Sequence, residues 1–305
     1  MNKYNYKIDS IKFICVIAVV FIHVTAILPS KGIANFTNYY VYRYFFDIAV
    51  PFFFAVSGVF LASKNEFNYL KKYAKKILTI FISFSLFYLL FDLVLLATDR
   101  LFAETVFWKR LHNRLDNLTL ENFLNGTFGH FHLWYLMALF LAVLLLMICI
   151  NFKFKPSTIL AISFFIYVSS IAEVVNFGDI VVYGGFPKAF FYLTLGYYLW
   201  NKKIEIKYPI AISILSLVLY SVYKNMSQSS MSEFLLISSI FFLVIYCFNS
   251  VNKYKESVLS KLGSFTLNIY ILHVIIYKIS FKVLEYNGYK NFYENPLILI
   301  VIAIL

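Results

Sequence analysis

Apolar stretches as long as a lipid bilayer is thick recur along this chain of 305 residues, separated by short lysine-rich segments and polar loops. Crossing a hydrocarbon core takes roughly 20 apolar helical residues, because every backbone polar group must be bonded within the segment. Runs at about 8–29, 41–62, 77–97, 132–152, 156–172, 187–200, 208–223, 231–249 and 264–281 read as spanning helices. Pro187 suits the first turn of the short sixth run. A further run, 296–305, covers only about half the length needed and reads as a tenth helix cut short. The fold class is therefore all-α: one polytopic integral membrane helical bundle over 1–305, with about ten transmembrane helices and the last truncated. Composition agrees. The chain is 61% hydrophobic and 14% charged, against roughly 45–50% and 25% for soluble domains.

The charge of +12 would suggest nucleic acid in a soluble protein, but its distribution gives another reason. With the N-terminus in the cytoplasm, fifteen lysines fall inside against four acidic residues. The outer segments carry eleven basic and eleven acidic residues, and Lys12 completes the total. This is the positive-inside asymmetry of a multi-pass plasma-membrane protein, and no nucleic-acid partner is needed to explain it. The segment after Ile11 lacks a small-residue cleavage site and reads as part of the fold. Cys15, Cys149 and Cys247 all lie in apolar runs and read as packing thiols. The one long outer connection, about 98–131, reads as a cap over an outer cavity or as a solvated connector.

Ionisable residues inside the spans point to chemistry, since each is costly there. Lys12 and His23 bracket ten uncharged residues of the first span. Eleven helical steps leave them about 20° apart on the wheel and roughly 16 Å apart along the axis. They line one face, the lysine toward the cytoplasm. A histidine there can accept a hydroxyl proton and release it later, while a lysine at the inner interface can meet an anionic phosphate. The alternative is a snorkelling lysine and a histidine bonded within the bundle. Lys72, Lys75 and Lys76 share one side of the first turns of the third helix and suit either a cofactor phosphate or anionic lipid. Ser57 and Gly58 place a hydroxyl and a close-approach point in the second helix. His132 and Trp134 open the fourth, with His130 just before them; with no third ligand nearby, no metal site is expected. Tyr270 and His273, with Thr266, form a late polar stripe at helical spacing.

Taken in order, these pieces resemble the membrane-bound acyltransferase-3 family, whose members O-acylate surface carbohydrates and lipids. The family's basic-x10-His element resembles Lys12 to His23, and its PFFF-x-x-SG element resembles Pro51 to Gly58. A basic patch resembles Lys72 to Lys76, and H-x-W-Y/F resembles His132 to Tyr135. L-G-Y-x-L resembles Leu195 to Leu199, and G-x-S/T-x-x-I-Y-x-x-H resembles Gly263 to His273, the six together covering nearly the whole chain. The resemblance implies an acyl-CoA donor, most often acetyl-CoA, arriving from the cytoplasm, and an acceptor hydroxyl on an envelope glycan or lipid-linked sugar. It implies His23 as the catalytic residue and Lys12, Lys72, Lys75 and Lys76 as donor-binding residues, with Ser57, His132, Trp134, Tyr270 and His273 as cavity candidates. Lysine stands where the family often has arginine, which keeps the charge and loses the bidentate fork.

The expected activity is thus an O-acyltransferase, most naturally an O-acetyltransferase, with His23 as base and with no metal. Two other classes stay open: a transporter or exporter, and a non-catalytic partner in polysaccharide synthesis. Against transport, ten glycines and six prolines occur in no matching pair of helices. Membrane lipids are expected partners, and self-association is left open. The wealth of Lys, Asn, Ile, Phe and Tyr hints at a bacterial source with an AT-rich genome.

Overall fold

The computed structural model describes residues 5–27, 43–64, 66–100, 104–175, 177–200, 202, 204–227, 230–248 and 255–288. Every regular element among them is helical. They are α1 (Tyr6–Ile27), α2 (Ala49–Lys64), α3 (Phe67–Arg100), α4 (Glu104–Asp116), α5 (Leu120–Leu124), a 3-10 turn (Phe131–Leu133), α6 (Trp134–Asn151), α7 (Pro156–Ile171), α8 (Gly185–Trp200), α9 (Pro209–Ser227), α10 (Ser232–Phe248), α11 (Val258–Gly263) and α12 (Thr266–Tyr286). A short 3-10 turn at Gly178–Ile180 precedes α8, and a helical turn over 43–46 precedes α2. Among the described residues, five stretches are long and apolar enough to cross a membrane: Arg43–Lys64, Phe67–Ala97, Phe131–Asn151, Pro209–Ser227 and Thr266–Val283. α7 and α10 are shorter apolar helices. The helical bundle is as expected, but of the ten spans read from the sequence the described residues support five, plus shorter apolar helices, and the run 296–305 lies outside them.

The chain forms two compact units, Met1–Val56 with Lys202–Leu305, and Ser57–Asn201. In the first, α1 packs on α11 and α12, and α9 packs on α10. Small residues let these helices approach closely. Ser213 donates to the Ser239 carbonyl at 2.8 Å, and the Ser216 and Ser238 hydroxyls meet at 3.0 Å. Gly263 ends α11 against the backbone of Asp9, where an added Cβ would overlap the Asp9 carbonyl. A reciprocal cap fixes the start of α11. The Ser260 N–H bonds the Ser257 hydroxyl at 3.2 Å, and the Ser257 N–H bonds the Ser260 hydroxyl at 2.9 Å. At the start of α1, Asn5 donates to the Cys247 carbonyl and Lys7 to the Tyr246 carbonyl.

In the second unit, α8 lies between α6 and α7 and is buried around most of its circumference. That explains an apolar run too short for a free-standing span. Gly58 admits α2 to the Leu193 carbonyl, which a Cβ would strike. The segment expected as a long loop is largely structured. Helix α3 continues to Arg100, and α4 and α5 follow. Residues 123–132 then fold along one face of α3. Phe81 meets Phe123, Ser85 backs onto Gly129, and Tyr88 meets His130 and His132. Positions 81, 85 and 88 share a helical face. This irregular backbone lies beside the apolar part of α3, so its polar groups need internal partners. The Asn122 carbonyl accepts from the Thr127 and Phe128 N–H groups, and Asn125 bonds Thr127 and the Asp179 carbonyl. Gly126, at φ +83°, makes the turn beneath Trp134 that a Cβ would block.

Candidate functional site

The first unit assembles a histidine pair. α1 carries His23 and α12 carries His273, and Nδ1 of His23 lies 2.6 Å from Nε2 of His273. The ring centres are 4.9 Å apart and the planes differ by 10°. That centre-to-centre distance is the N···N distance plus about one ring radius at each end, so the imidazoles meet head-on, nearly in one plane. On the far side, Nδ1 of His273 lies 2.7 Å from the Tyr270 carbonyl and 3.3 Å from the Ile269 carbonyl. A carbonyl only accepts, so Nδ1 of His273 carries the hydrogen and its Nε2 accepts. Nδ1 of His23 must then donate. The chain of bonds leaves Nε2 of His23 as the nitrogen holding a lone pair. His273 is fully buried and His23 is half-buried.

This arrangement has chemical consequences. A proton taken at Nε2 makes His23 cationic, and the bond from its Nδ1 to His273 then becomes charge-assisted. The backbone carbonyls fix the His273 ring and so fix the tautomer of His23. The buried stripe Thr266, Tyr270 and His273 is what presents this ring to α1.

Lys12 lies nearer the start of α1, where its Nζ contacts Asp9 Oδ1 at 2.9 Å. Asp9 is buried and Lys12 is half-buried, so the lysine charge is balanced locally. The turn over 43–46 also reaches α1: the rings of Phe46 and Phe21 lie 4.5 Å apart. Beside it, the Tyr220 hydroxyl donates to Asp47 Oδ2 at 2.8 Å.

The other candidates fall in the second unit. Lys72, Lys75 and Lys76 stand exposed on the opening turns of α3, and no ion pair engages them among the described residues. The Ser57 hydroxyl hydrogen-bonds with Tyr73 and with Tyr135. His132 is buried, and its Nδ1 lies 3.0 Å from Nδ1 of His130. The two rings meet because they sit on the extended and 3-10 approach to α6, not on a regular helix. Arg114 of α4 bonds Asp92 at 2.9 Å and also the Gly129 carbonyl, tying α4 to α3 and to the histidine-bearing segment. Trp134 packs its ring on Tyr183 at 5.6 Å. Among the described residues, no group of three or more His, Cys, Asp or Glu side chains is placed to hold a metal ion.

Sequence reasoning did not single out Asp9, Arg43, Asp47, Tyr73, Tyr88, Asp92 or Tyr220. Asp47 and Asp92 had a readable signal, since each is an acid inside an apolar run. The tyrosines had none in a chain with 25 of them.

A histidine held by a buried partner in a helical membrane protein is suited to accept and return a proton. The family comparison supplies the reaction class. Residues 5–305 match the acyltransferase domain family, and the chain belongs to it. Neither the curated proteins nor the solved structures gave a match.

Proposed function

We propose that the protein is an integral-membrane O-acyltransferase that moves an acyl group, in the first instance acetyl, from acyl-CoA to a hydroxyl of an envelope glycan or lipid-linked sugar. The observation that carries this reading is the bond chain from the Tyr270 carbonyl through His273 to His23. It supplies a base with a fixed tautomer and a partner that steadies the cation formed on it. The acceptor hydroxyl gives its proton to Nε2 of His23 as its oxygen attacks the thioester carbonyl carbon. A carbon–oxygen bond forms, the carbon–sulfur bond breaks, and the departing thiolate takes the proton back.

Acyl-CoA supplies the activated acyl group when bound, and its phosphates need cations. Lys72, Lys75 and Lys76 suit that need, being exposed and without ion pairs among the described residues. Lys12 suits it less, because Asp9 already balances it. The lysine-rich segments support a cytoplasmic N-terminus and entry of the donor from that side, in the plasma membrane of a bacterium.

The test is a His23→Ala variant in the native host. Nuclear magnetic resonance of its purified envelope glycans should show the acyl esters gone while the protein stays in the membrane at normal abundance. Full O-acylation with that variant would overturn the reading.

A further inference from the structure

The base accounts for the proton but not for the negative charge that grows on the thioester oxygen as the acceptor attacks. Resting on the acyl-transfer reading above, we propose that Arg43 is the cation that stabilises this oxyanion. Three observations place it. Phe46 contacts Phe21, which lies within one helical turn of His23, so the turn over 43–46 is seated on α1 at the level of the histidine. Tyr220 holds the same segment through its bond to Asp47 and an edge contact with Tyr44 at 6.5 Å. Arg43 lies three residues before Phe46 and shares its helical face, the one turned to α1. The guanidinium is within electrostatic reach of the His23 ring.

The state of Arg43 argues for a visiting anion. It is half-buried at one end of an apolar span. Among the described residues, no carboxylate and no hydrogen-bond acceptor engages it. The carboxylate on its own turn, Asp47, accepts from Tyr220 instead. A guanidinium in such surroundings is costly without a counter-charge. Its five N–H donors in a planar fork match an oxyanion that appears only during reaction. With Nε2 of His23 as base and Arg43 as cation, one thioester carbonyl meets both groups that acyl transfer requires. The charge develops at addition and disperses when the carbon–sulfur bond breaks, so no further reactant is needed.

The experiment uses the full chain in native membrane vesicles that hold the cell's own acceptor, with radiolabelled acetyl-CoA as donor. Removing one oxyanion donor typically costs 10²–10³-fold in kcat. Arg43→Gln should therefore lower kcat by about 10²–10³-fold and leave KM for acetyl-CoA within about threefold. Arg43→Lys should recover part of the rate, and added guanidinium should partly rescue Arg43→Gly. The rescue separates a chemical role from a failure to fold. Wild-type kcat in Arg43→Gln overturns the proposal. So does a loss carried wholly by KM for acetyl-CoA, the signature of a donor-phosphate site. A loss that neither lysine nor guanidinium restores, the signature of a structural or snorkelling arginine, overturns it as well. His23→Ala is run alongside: if it keeps its rate, the acyl-transfer reading fails first. An inactive His23→Ala beside an unimpaired Arg43→Gln overturns only the role of Arg43.

Discussion

Replacing His273 isolates the contribution of the histidine pair from that of His23 itself. In the resting protein the 2.6 Å bond joins two neutral imidazoles. When His23 takes a proton, the same bond becomes one to a charged group, worth about 1.5–3 kcal/mol against about 0.5–1.5 kcal/mol for the neutral bond. Only that excess, about 1–1.5 kcal/mol, acts on the rate, so at 1.36 kcal/mol per tenfold its loss slows the chemical step by roughly 5- to 13-fold. His273→Ala should therefore lower kcat by that factor while leaving KM for the acyl donor nearly unchanged, since His273 is fully buried behind His23. His273→Gln is the informative companion. Its amide oxygen can still accept from Nδ1 of His23 and hold the tautomer, so it should keep several-fold more activity than the alanine variant. The assay is initial-rate transfer of labelled acetyl groups in membrane vesicles, with protein abundance matched by immunoblot. A His273→Ala enzyme within about threefold of wild type, beside an inactive His23→Ala, would refute the relay. An equal loss in the alanine and glutamine variants would refute the tautomer argument.

Other predictions follow from separate contacts. The Gly58→Val protein should unfold at a lower temperature in detergent, by an amount corresponding to about 1–3 kcal/mol, because its side chain meets the Leu193 carbonyl rather than a flexible group. Changing Lys72, Lys75 and Lys76 together to glutamine should raise KM for acetyl-CoA and flatten its dependence on salt, as measured by initial rates from low to high ionic strength. Arg114→Ala should destabilise the second unit by about 2–3 kcal/mol, because it strips Asp92 and the Gly129 carbonyl of a charged partner; limited proteolysis between α4 and α6 would report it.

The helical architecture was legible because apolar length is a bulk property. The runs at 132–152, 156–172 and 231–249 correspond to α6, α7 and α10 within a residue or two at each end. The third helix was less so. It starts at Phe67, ten residues before its apolar run, because Asn, Lys and Tyr side chains permit helix outside the bilayer as readily as apolar ones within it. The structured segment over 104–133 was hidden for the opposite reason. Its backbone is satisfied in part by the side chains of Asn122 and Asn125, which in sequence signal only a turn.

The site divided in the same way. His23, His273 and Tyr270 stood out because ionisable and polar side chains in apolar helices are rare. Nothing local could show that residues 250 positions apart share a proton, since that follows from α1 packing on α12. Nor could spacing show that Asp9, three residues before Lys12, would take up its charge. Arg43 looked like an ordinary residue at the mouth of an apolar run, and only the seating of its turn on α1 puts it within electrostatic reach of His23.

The most direct test of the central claim is acyl transfer by the purified full chain in liposomes, given labelled acetyl-CoA and an extract of the host's envelope glycans. Wild-type protein should label the glycan with an ester that mild alkali releases. His23→Ala, reconstituted at the same density, should transfer at least about 10²-fold more slowly. Equal labelling by the two proteins would contradict the account.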